Sequence, residues 1–389
     1  MTEFIPLSVP NLKGNELKYV TEAVEKEWVS TGGEMITQFE SEFAKYLGVE
    51  AATACQSGTA GIHLALMLAG VGSGDEVIVP TLTFIAAVNP VRYVNADPIF
   101  MDCDDSLCMD SNKLEDFCAN RCEMADGRLI NKETKKHIKA VVVVHVFGNM
   151  ADMQSIISIA NRYNLIIIED ATEALGTFYK EGIFKGKFAG TIGDYGVYSF
   201  NGNKIITTGG GGMLVSKYTD MVKRAKYLST QAKDDVVNFI HNEIGYNYRM
   251  TNLQAALGVA QLEQLENFIN VKTKNYHLYC DELNSINSAR ILPFRDNIRP
   301  NYWFYSLVLN NYCRDDMIKY LCDNNIQTRP IWGLIHEQKP YKNCYSYRIE
   351  KAIEYYNNII NIPCSTNLVE SQVYYVSEFI KRFCQEKIS

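Results

Sequence analysis

A continuous apolar run that ends in two acidic residues constrains the fold of this chain more than any other feature. The segment Asn164 to Asp170 reads Asn-Leu-Ile-Ile-Ile-Glu-Asp. A strand this uniformly apolar is typically buried on both faces, as in a parallel sheet covered by helices. The sequence therefore predicts an α/β fold. Because ligands of open α/β sheets bind at the carboxyl ends of the strands, Asp170 is a candidate site residue.

A lysine between a predicted strand and a run of glycines is the second candidate. Val197 to Phe200 alternate as a strand does, Asn201 to Asn203 predict a turn that precedes Lys204, and Gly209 to Gly212 allow the backbone to approach a bulky group. A lone lysine beside a turn is usually a solvated surface residue. An acid at a strand end together with a loop lysine is, however, the pair that pyridoxal phosphate requires. The lysine binds its aldehyde covalently, and the carboxylate keeps the pyridine nitrogen protonated.

Other segments predict the elements around this pair. Helical spacing predicts a long helix from Leu253 to about Asn267 and another from Val271 to Leu283, and Thr81 to Asn89 predicts a helix after the strand Glu76 to Val79. Residues 121–137 are polar and charged and lie between a predicted helix near Asn112 to Cys118 and the strand Lys139 to Val144; the sequence indicates little about their structure. The glycines of Gly70 to Gly74 follow a helix and precede a strand, the reverse of a dinucleotide fingerprint, and no P-loop motif occurs. A Rossmann oxidoreductase and a P-loop NTPase are therefore excluded.

The Asp170 and Lys204 segments, with the motifs around them, resemble the DegT/DnrJ/StrS family of sugar aminotransferases from Gly14 to about Val376. The resemblance implies a pyridoxal phosphate enzyme of fold type I, with a mostly parallel sheet flanked by helices in a large domain (1–268) and a smaller α+β domain (269–389). It also implies a homodimer with shared active sites. A dehydratase of the same family would carry histidine in place of Lys204. A regulatory protein on the same fold, and a pyridoxal phosphate enzyme acting on amino acids alone, stay open as alternatives.

The phosphate site is predicted first from the residues themselves. Small polar residues open an apolar helix after the strand Ala51 to Cys55, which suits an anion at a helix N-terminus, although simple capping by Ser57 is an alternative. The resemblance implies that this Ser-Gly-Thr turn and Ser199 hold the cofactor phosphate and that Phe84 stacks on its ring. It places Glu173 near the ring oxygen, where many members carry Gln or His. The implied cofactor-binding set is Ser57, Gly58, Thr59, Phe84, Asp170, Glu173, Ser199, Asn201, Lys204 and Asn247, with Asn247 reaching the partner's site.

The substrate prediction also follows from the resemblance. The segments 169–176, 201–204 and 328–332 look most like the branch that makes bacillosamine-type and legionaminic acid precursors. The implied reaction moves the amine of L-glutamate to C4 of a UDP-linked 4-keto-6-deoxy-N-acetylhexosamine; a dTDP- or GDP-linked keto-sugar is the alternative. The implied substrate-binding residues are Thr31, Gly32, Arg249, Arg329 and His336. His145, which follows the strand Lys139 to Val144, either lines the site or is structural.

Composition limits the possible partners and compartment. The formal net charge of −7 and pI near 5.5 provide no basic field for nucleic acid or an anionic membrane. No signal-peptide or membrane-spanning pattern occurs, so a soluble, cytoplasmic protein is expected. Eleven cysteines in such a chain predict free thiols. Cys103, Cys108, Cys118 and Cys122 have loose spacings that favour ordinary thiols over a zinc site, and no metal is expected.

Overall fold

The structure is a computed structural model that describes residues 4–310 and 312–386; the outer ends of both predicted domains lie outside the described residues. Its helices are α1 (Glu16–Glu25), α2 (Glu34–Leu47), α3 (Gly58–Leu68), α4 (Asn89–Tyr93), α5 (Ser111–Arg121), α6 (Met153–Tyr163), α7 (Thr219–Ser229), α8 (Asn252–Leu283), α9 (Arg314–Asp323), α10 (Lys351–Asn358) and α11 (Glu370–Glu386). Its strands are β1 (Ala52–Cys55), β2 (Asp75–Pro80), β3 (Asp97–Met101), β4 (Cys122–Ala125), β5 (Arg128–Asn131), β6 (His137–Val144), β7 (Ile166–Asp170), β8 (Phe178–Tyr179), β9 (Tyr195–Ser199), β10 (Gly212–Ser216), β11 (Lys233–Asp235), β12 (Ile240–His241), β13 (Ala289–Ile291), β14 (Ile298–Arg299), β15 (Tyr305–Leu309), β16 (Arg329–Pro330), β17 (Ser346–Tyr347) and β18 (Ile359–Ile362).

The large sheet has the order β1-β10-β9-β7-β6-β2-β3-β17, with β5 paired to β6 and β4 to β5. The pairs from β9 through β7, β6, β2 and β3 to β17 are parallel, whereas β10 runs antiparallel to both β1 and β9. The interior of β6 and β7 is buried on both faces because helices cover the sheet. The predicted α/β class with a mostly parallel sheet is confirmed.

A second, antiparallel sheet is built from the C-terminal part of the chain. Its order is β13-β15-β18-β16; α9 packs against β16 and β18, and α11 packs against α9 and α8. Residues of β15 and β18 are fully buried apolar side chains at most positions, so this sheet has its own core face. The predicted smaller α+β region is therefore present after the long helix α8.

The two helices predicted around residue 270 are wrong, because α8 is one continuous helix. Leu265, Ile269, Lys272, Tyr276 and Tyr279 are all buried at helical spacing, and they carry one buried stripe through the predicted break. Residues 268 and 269, where the sequence predicts the domain boundary, lie inside this helix. The division into two domains stays a prediction.

One further predicted segment differs from the structure. The segment Thr81 to Asn89 is not one helix: it contains a single 3₁₀ turn, Ile85–Ala87, and the five-residue α4 follows with Pro90 in its first turn. Residues 121–137, about which the sequence indicates little, contain the hairpin β4–β5, which adds to β6. Asp126 and Gly127 at the turn both have positive φ, 50° and 74°, as a tight two-residue hairpin turn requires.

Neither a membrane-spanning helix nor a metal cluster is found among the described residues. No helix among them has the length and apolar character needed to cross a bilayer. Residues 4–310 and 312–386 contain no group of three or more His, Cys, Asp or Glu side chains placed to hold a metal ion. Cys103, Cys108, Cys118 and Cys122 are buried, free thiols.

Candidate active site

The carboxyl ends of β2, β6, β7 and β9 meet at one edge of the large sheet, and the predicted site lies there. Asp170 at the end of β7 is in register with Val144 of β6 and Val197 of β9. One cavity at this edge is lined by most of the predicted cofactor-binding residues: Ser57, Gly58, Thr59, Phe84, Asp170, Glu173, Ser199, Asn201 and Lys204. Segments as far apart in sequence as 57 and 204 therefore converge on one space.

Lys204 projects into this cavity from the turn that follows β9. Its backbone N–H donates to the Asn201 carbonyl at 3.0 Å. Its Nζ lies 3.8 Å from Glu173 Oε1 and 4.2 Å from the centre of the Trp303 ring. Burial lowers the pKa of Lys204, while the nearby carboxylates of Glu173 and Asp170 raise it and so oppose the shift. The amine is therefore held where a neutral, nucleophilic form is accessible.

Asp170 presents a buried carboxylate to the same cavity. Only 4% of the residue is exposed, and its Oδ1 accepts the Thr172 N–H at 3.0 Å. Burial raises the pKa of Asp170, and the Thr172 hydrogen bonds and the charge of Lys204 act in the opposite direction. When a carboxylate buried in this way is ionised, a cationic partner in the cavity stabilises it.

Glu173 is a second buried carboxylate beside the lysine. Its Oε2 accepts the Phe147 N–H at 2.8 Å. Burial raises the pKa of Glu173 to about 7, although the charge of Lys204 opposes that shift. Glu173 therefore exchanges its proton near neutral pH, which a Gln at this position could not do.

Glu173→Gln is expected to change how the stability of the cofactor-free protein depends on pH. The folded state keeps the Glu173 proton up to about pH 7, whereas the unfolded chain releases it near the ordinary value of 4.5. The wild-type protein therefore loses stability relative to the variant as pH rises through this window, by on the order of 3 kcal/mol. Urea unfolding of both proteins from pH 4.5 to 8 measures the difference. A difference that stays constant across this range would contradict the proton assignment.

The turn between β1 and α3 forms the cavity wall predicted to hold phosphate. Ser57 caps α3, and its hydroxyl accepts a backbone N–H at 3.1 Å. A Cβ on Gly58 would lie 2.9 Å from Thr172 Cγ2 and 3.0 Å from Ser199 Cβ, and one on Gly212 would lie 2.6 Å from the Ser57 backbone. Glycine at these two positions therefore lets three segments close around a helix N-terminus. Capping leaves the Ser57 proton free to donate, so capping and phosphate binding are compatible.

Phe84 offers an aromatic surface to the cavity. It follows β2 and remains 53% exposed, unlike most phenylalanines of the chain. An amine, a buried acid, a flat aromatic wall and a helix N-terminus thus surround one space. These residues fit pyridoxal phosphate: Lys204 would bind the aldehyde, Asp170 the ring nitrogen, and the Ser57–Thr59 turn the phosphate.

His145 is not among the residues that line the cavity, and both of its ring nitrogens have protein partners. The Ala151 N–H donates to its Nδ1 at 3.2 Å, so the ring proton is on Nε2, which donates to Glu169 Oε2 at 2.8 Å. Glu169 also accepts backbone N–H groups of Gly190 and Ile192 at 2.9 Å and 2.7 Å. The pair braces the backbone beside Asp170, since the His145 N–H donates to the Asp170 carbonyl at 3.1 Å.

The remaining predicted residues are not among those that line this cavity in the described chain. Asn247 is exposed on the loop before α8, and Arg249 beside it has donors 3.4 Å from Asn247 Oδ1. Arg329 is exposed on β16. His336 Nδ1 lies 2.6 Å from Thr81 Oγ1, three residues before Phe84 in the sequence.

Thr31 and Gly32 lie in the loop between α1 and α2, beside a separate cavity of about 660 Å³. This loop is held by the side chain of Asn252, which donates to the Trp28 carbonyl at 2.7 Å and accepts the Met35 N–H at 3.1 Å. The roles predicted for these residues stay predictions.

Sequence reasoning missed two residues that shape the site. Thr172 lines the cavity and donates its backbone N–H to Asp170. Trp303 comes from the segment before β15 and places its ring against Lys204. The position of Thr172, two residues after the predicted acid, was a usable signal, whereas nothing in the sequence links residue 303 to residue 204.

Known proteins resemble this chain over nearly its whole length. A family model described as the DegT/DnrJ/EryC1/StrS aminotransferase family matches residues 10–381. The GDP-perosamine synthase of Escherichia coli O157:H7 is 36% identical over 387 residues, covering 99% of this chain and 100% of that protein. The UDP-4-amino-4,6-dideoxy-N-acetyl-beta-L-altrosamine transaminase of Campylobacter jejuni subsp. jejuni serotype O:23/36 (strain 81-176) is 28% identical over 367 residues, covering 92% of each. Among solved structures, the aminotransferase TlmJ from Streptoalloteichus hindustanus has a TM-score of 0.89 at 25% identity, covering 99% of this chain and 100% of that chain.

Proposed function

The chain belongs to the DegT/DnrJ/EryC1/StrS aminotransferase family, and on that premise we propose that it transfers the amine of L-glutamate to C4 of a UDP-linked 4-keto-6-deoxy-N-acetylhexosamine. It is a sugar aminotransferase, and its family uses pyridoxal 5′-phosphate. The observation that carries the proposal is the placing of Lys204 and Asp170 in one cavity with a glycine-lined helix N-terminus. The cofactor supplies an electron-withdrawing ring that makes the Cα–H bond of the donor acidic.

The residues of the chain then take separate tasks. Lys204 Nζ removes the proton from Cα of the donor and returns one to the carbon that receives the amine, as a general base and then a general acid. The carboxylate of Asp170 would hold a proton on the ring nitrogen of the cofactor, and the Phe84 side chain would cover its ring. Glutamate leaves as 2-oxoglutarate before the keto-sugar enters, so ping-pong kinetics are expected.

The choice of uridine is supported by sequence segments near the cavity rather than by overall identity. The segments 169–176 and 201–204 each contribute residues to the cavity lining, and they resemble the branch that uses UDP-linked amino sugars. The C. jejuni relative is named for a UDP-linked sugar. A GDP-linked keto-sugar is the second candidate, because the E. coli relative with the higher identity of 36% is named GDP-perosamine synthase. On a chain of net charge −7, either diphosphate needs local cations, for which Arg249 and Arg329 are the candidates.

Turnover with matched UDP-, GDP- and dTDP-linked 4-keto-6-deoxy sugars tests the proposal. With L-glutamate as the donor, we expect kcat/KM for the UDP-linked N-acetylhexosamine to exceed the others by at least about tenfold, the effect of one lost specific contact. Release of 2-oxoglutarate measures the rate, and NMR of the product locates the new amine. Preference for the GDP- or dTDP-linked sugar, or amination at C3, would refute the assigned substrate and leave the aminotransferase activity intact.

We also propose a homodimer in which Asn247 completes the partner's site. The hairpin β11–β12 and the residues after it expose apolar side chains: Val236 is 72%, Val237 78%, Phe239 69% and Ile244 82% exposed. Apolar exposure on this scale along one projection marks an interaction surface. Asn247 follows directly and is exposed as well. A monomeric mass by light scattering at assay concentrations would contradict the shared site.

A further inference from the structure

Trp303 connects the C-terminal part of the chain to the Lys204 turn by two contacts. It lies between β14 and β15 and is only 3% exposed. Its ring centre lies 4.2 Å from Lys204 Nζ, within the range of an attractive cation–π contact. Its indole N–H donates to the Asn203 carbonyl at 2.8 Å. One side chain thus contacts both the amine of residue 204 and the backbone that carries it.

Trp303 is held in place by further contacts of its own backbone and ring. Its backbone N–H donates to Asn301 Oδ1 at 2.9 Å, and its carbonyl accepts from Lys272 Nζ at 3.1 Å. Phe304 packs edge-on against the ring with centroids 4.3 Å apart, and Phe147 lies 6.1 Å away on a tilted plane. Because two backbone hydrogen bonds and two aromatic neighbours hold residue 303, the position of its ring is fixed. The Lys204 side chain therefore takes the position that this ring allows.

The groups around Lys204 Nζ have opposing effects on its charge. The carboxylates of Glu173 and Asp170 face it from β7 and the turn after it, and the face of Trp303 is on the third side. All three favour the ammonium form, and burial disfavours it. Lys272, which lines a small cavity together with Lys204 and Trp303, donates from its Nζ to the Trp303 and Cys364 carbonyls.

We propose that Trp303 is a positioning residue for Lys204: its ring face holds the amine in the cavity, and its indole N–H fixes the Asn203 carbonyl and hence the direction of the side chain. The importance of this for turnover rests on the function proposed above, in which Lys204 gives and takes protons. The contacts themselves belong to the chain without cofactor or substrate. They can therefore be tested on the cofactor-free protein, where a wrong substrate assignment has no influence.

The test is the pH dependence of acetylation at Lys204 in the full-length, cofactor-free protein. Acetic anhydride labels the neutral amine, and mass spectrometry of the Lys204 peptide gives the rate at each pH. Without the ring face, Trp303→Leu is expected to move the curve to lower pH, so that labelling on its rising limb is about twofold to thirtyfold faster at a fixed pH. The plateau at high pH should not change. Trp303→Phe retains a ring that attracts a cation less strongly than tryptophan does, so its curve should lie between those of the wild type and Trp303→Leu.

Loss of the indole N–H has its own readout. Because neither variant can donate to Asn203, hydrogen exchange at the Lys204 amide should accelerate in both. Phe379→Leu, which removes an aromatic ring of α11 that packs on Tyr375 and Tyr320, should leave the acetylation curve and this exchange rate as in the wild type. If Trp303→Leu does not fold, Trp303→Phe alone still gives the direction of the curve and the exchange rate. Two results would overturn the proposal. One is that the acetylation curves of Trp303→Leu and the wild type superimpose. The other is that the variant is labelled faster by the same factor at every pH, including the plateau, because the ring would then only limit the access of the reagent to Lys204.

Discussion

Lys204→Ala is expected to lower turnover of glutamate and keto-sugar by at least about 10⁴-fold, since the variant loses both the covalent attachment point and the general base. Lys204 is the lysine that lines the cavity within the described chain, and its amine lies among Glu173, Asp170 and Trp303. Among the described residues, no second lysine lines that cavity. Lys223→Ala, which removes a lysine from the solvent-exposed surface of α7, is the matched control and should keep wild-type turnover. Release of 2-oxoglutarate measures both, and a Lys204→Ala rate within tenfold of wild type would be incompatible with its proposed role.

The same variant tests the shared site. In a homodimer with composite sites, mixing and reassociating Lys204→Ala with Asn247→Ala gives mixed dimers in which one of the two sites has both residues intact. About a quarter of wild-type activity should then return, since half of the dimers are mixed and half of their sites are complete. Activity that does not rise above the sum of the separate variants would indicate that Asn247 does not serve the partner's site.

Asp170→Asn is expected to lower turnover by at least about 10²-fold, or about 3 kcal/mol of barrier, with little effect on folding. An amide has the shape of the carboxylate and can still accept the Thr172 N–H, so the local structure is retained. It has no negative charge, however, to keep a proton on the ring nitrogen of the cofactor. Unfolding curves and single-turnover rates separate the two effects.

Asp152→Asn is the matched control for that change. Asp152 caps α6 by accepting the Ser155 N–H at 3.2 Å, and asparagine caps helices equally well. Its turnover should stay within about twofold of wild type, because α6 is capped outside the cavity. If Asp170→Asn also stays within about threefold, under 1 kcal/mol of barrier, the carboxylate does not hold the ring proton.

The part of the site that the sequence could predict is the part formed at strand ends. The apolar run of β7 required burial on both faces and therefore a parallel sheet, and in a parallel sheet the ends of neighbouring strands lie together. Asp170 and Ser199 are such ends, and the turns after β1 and β9 supply Ser57 and Lys204. Local sequence was sufficient to predict these positions, because the parallel sheet brings the ends of its strands together.

The ring of Trp303 could not be predicted in this way. It reaches Lys204 across 99 positions, from an irregular segment between two short strands of different sheets. Its placement depends on how the antiparallel sheet packs against the large one, which no local pattern encodes. The roles of Arg249 and Arg329 stay predictions for a similar reason, since residues that meet a substrate or a second copy need not line a cavity of one chain.

One wrong prediction and one feature that was not predicted both had signals in the sequence. The spacing of Leu265, Ile269, Lys272 and Tyr276 continues one buried helical stripe. The lysine made this stripe hard to recognise, because lysine is usually exposed. Lys272 is buried here, and its amine donates to two backbone carbonyls instead of to solvent. The dipeptide Asp126-Gly127 between short alternating runs is a strong indicator of a hairpin, and the charge of the surrounding residues obscured it.

The central claim is that Lys204 carries the cofactor covalently, and borohydride reduction of the wild-type protein tests it most directly. The protein is loaded with pyridoxal 5′-phosphate, reduced, digested and mapped by mass spectrometry. We predict one modified peptide containing Lys204, with the modification absent when glutamate is added before the reductant, because the donor displaces the lysine. Modification of another lysine, or none at Lys204, would contradict the account.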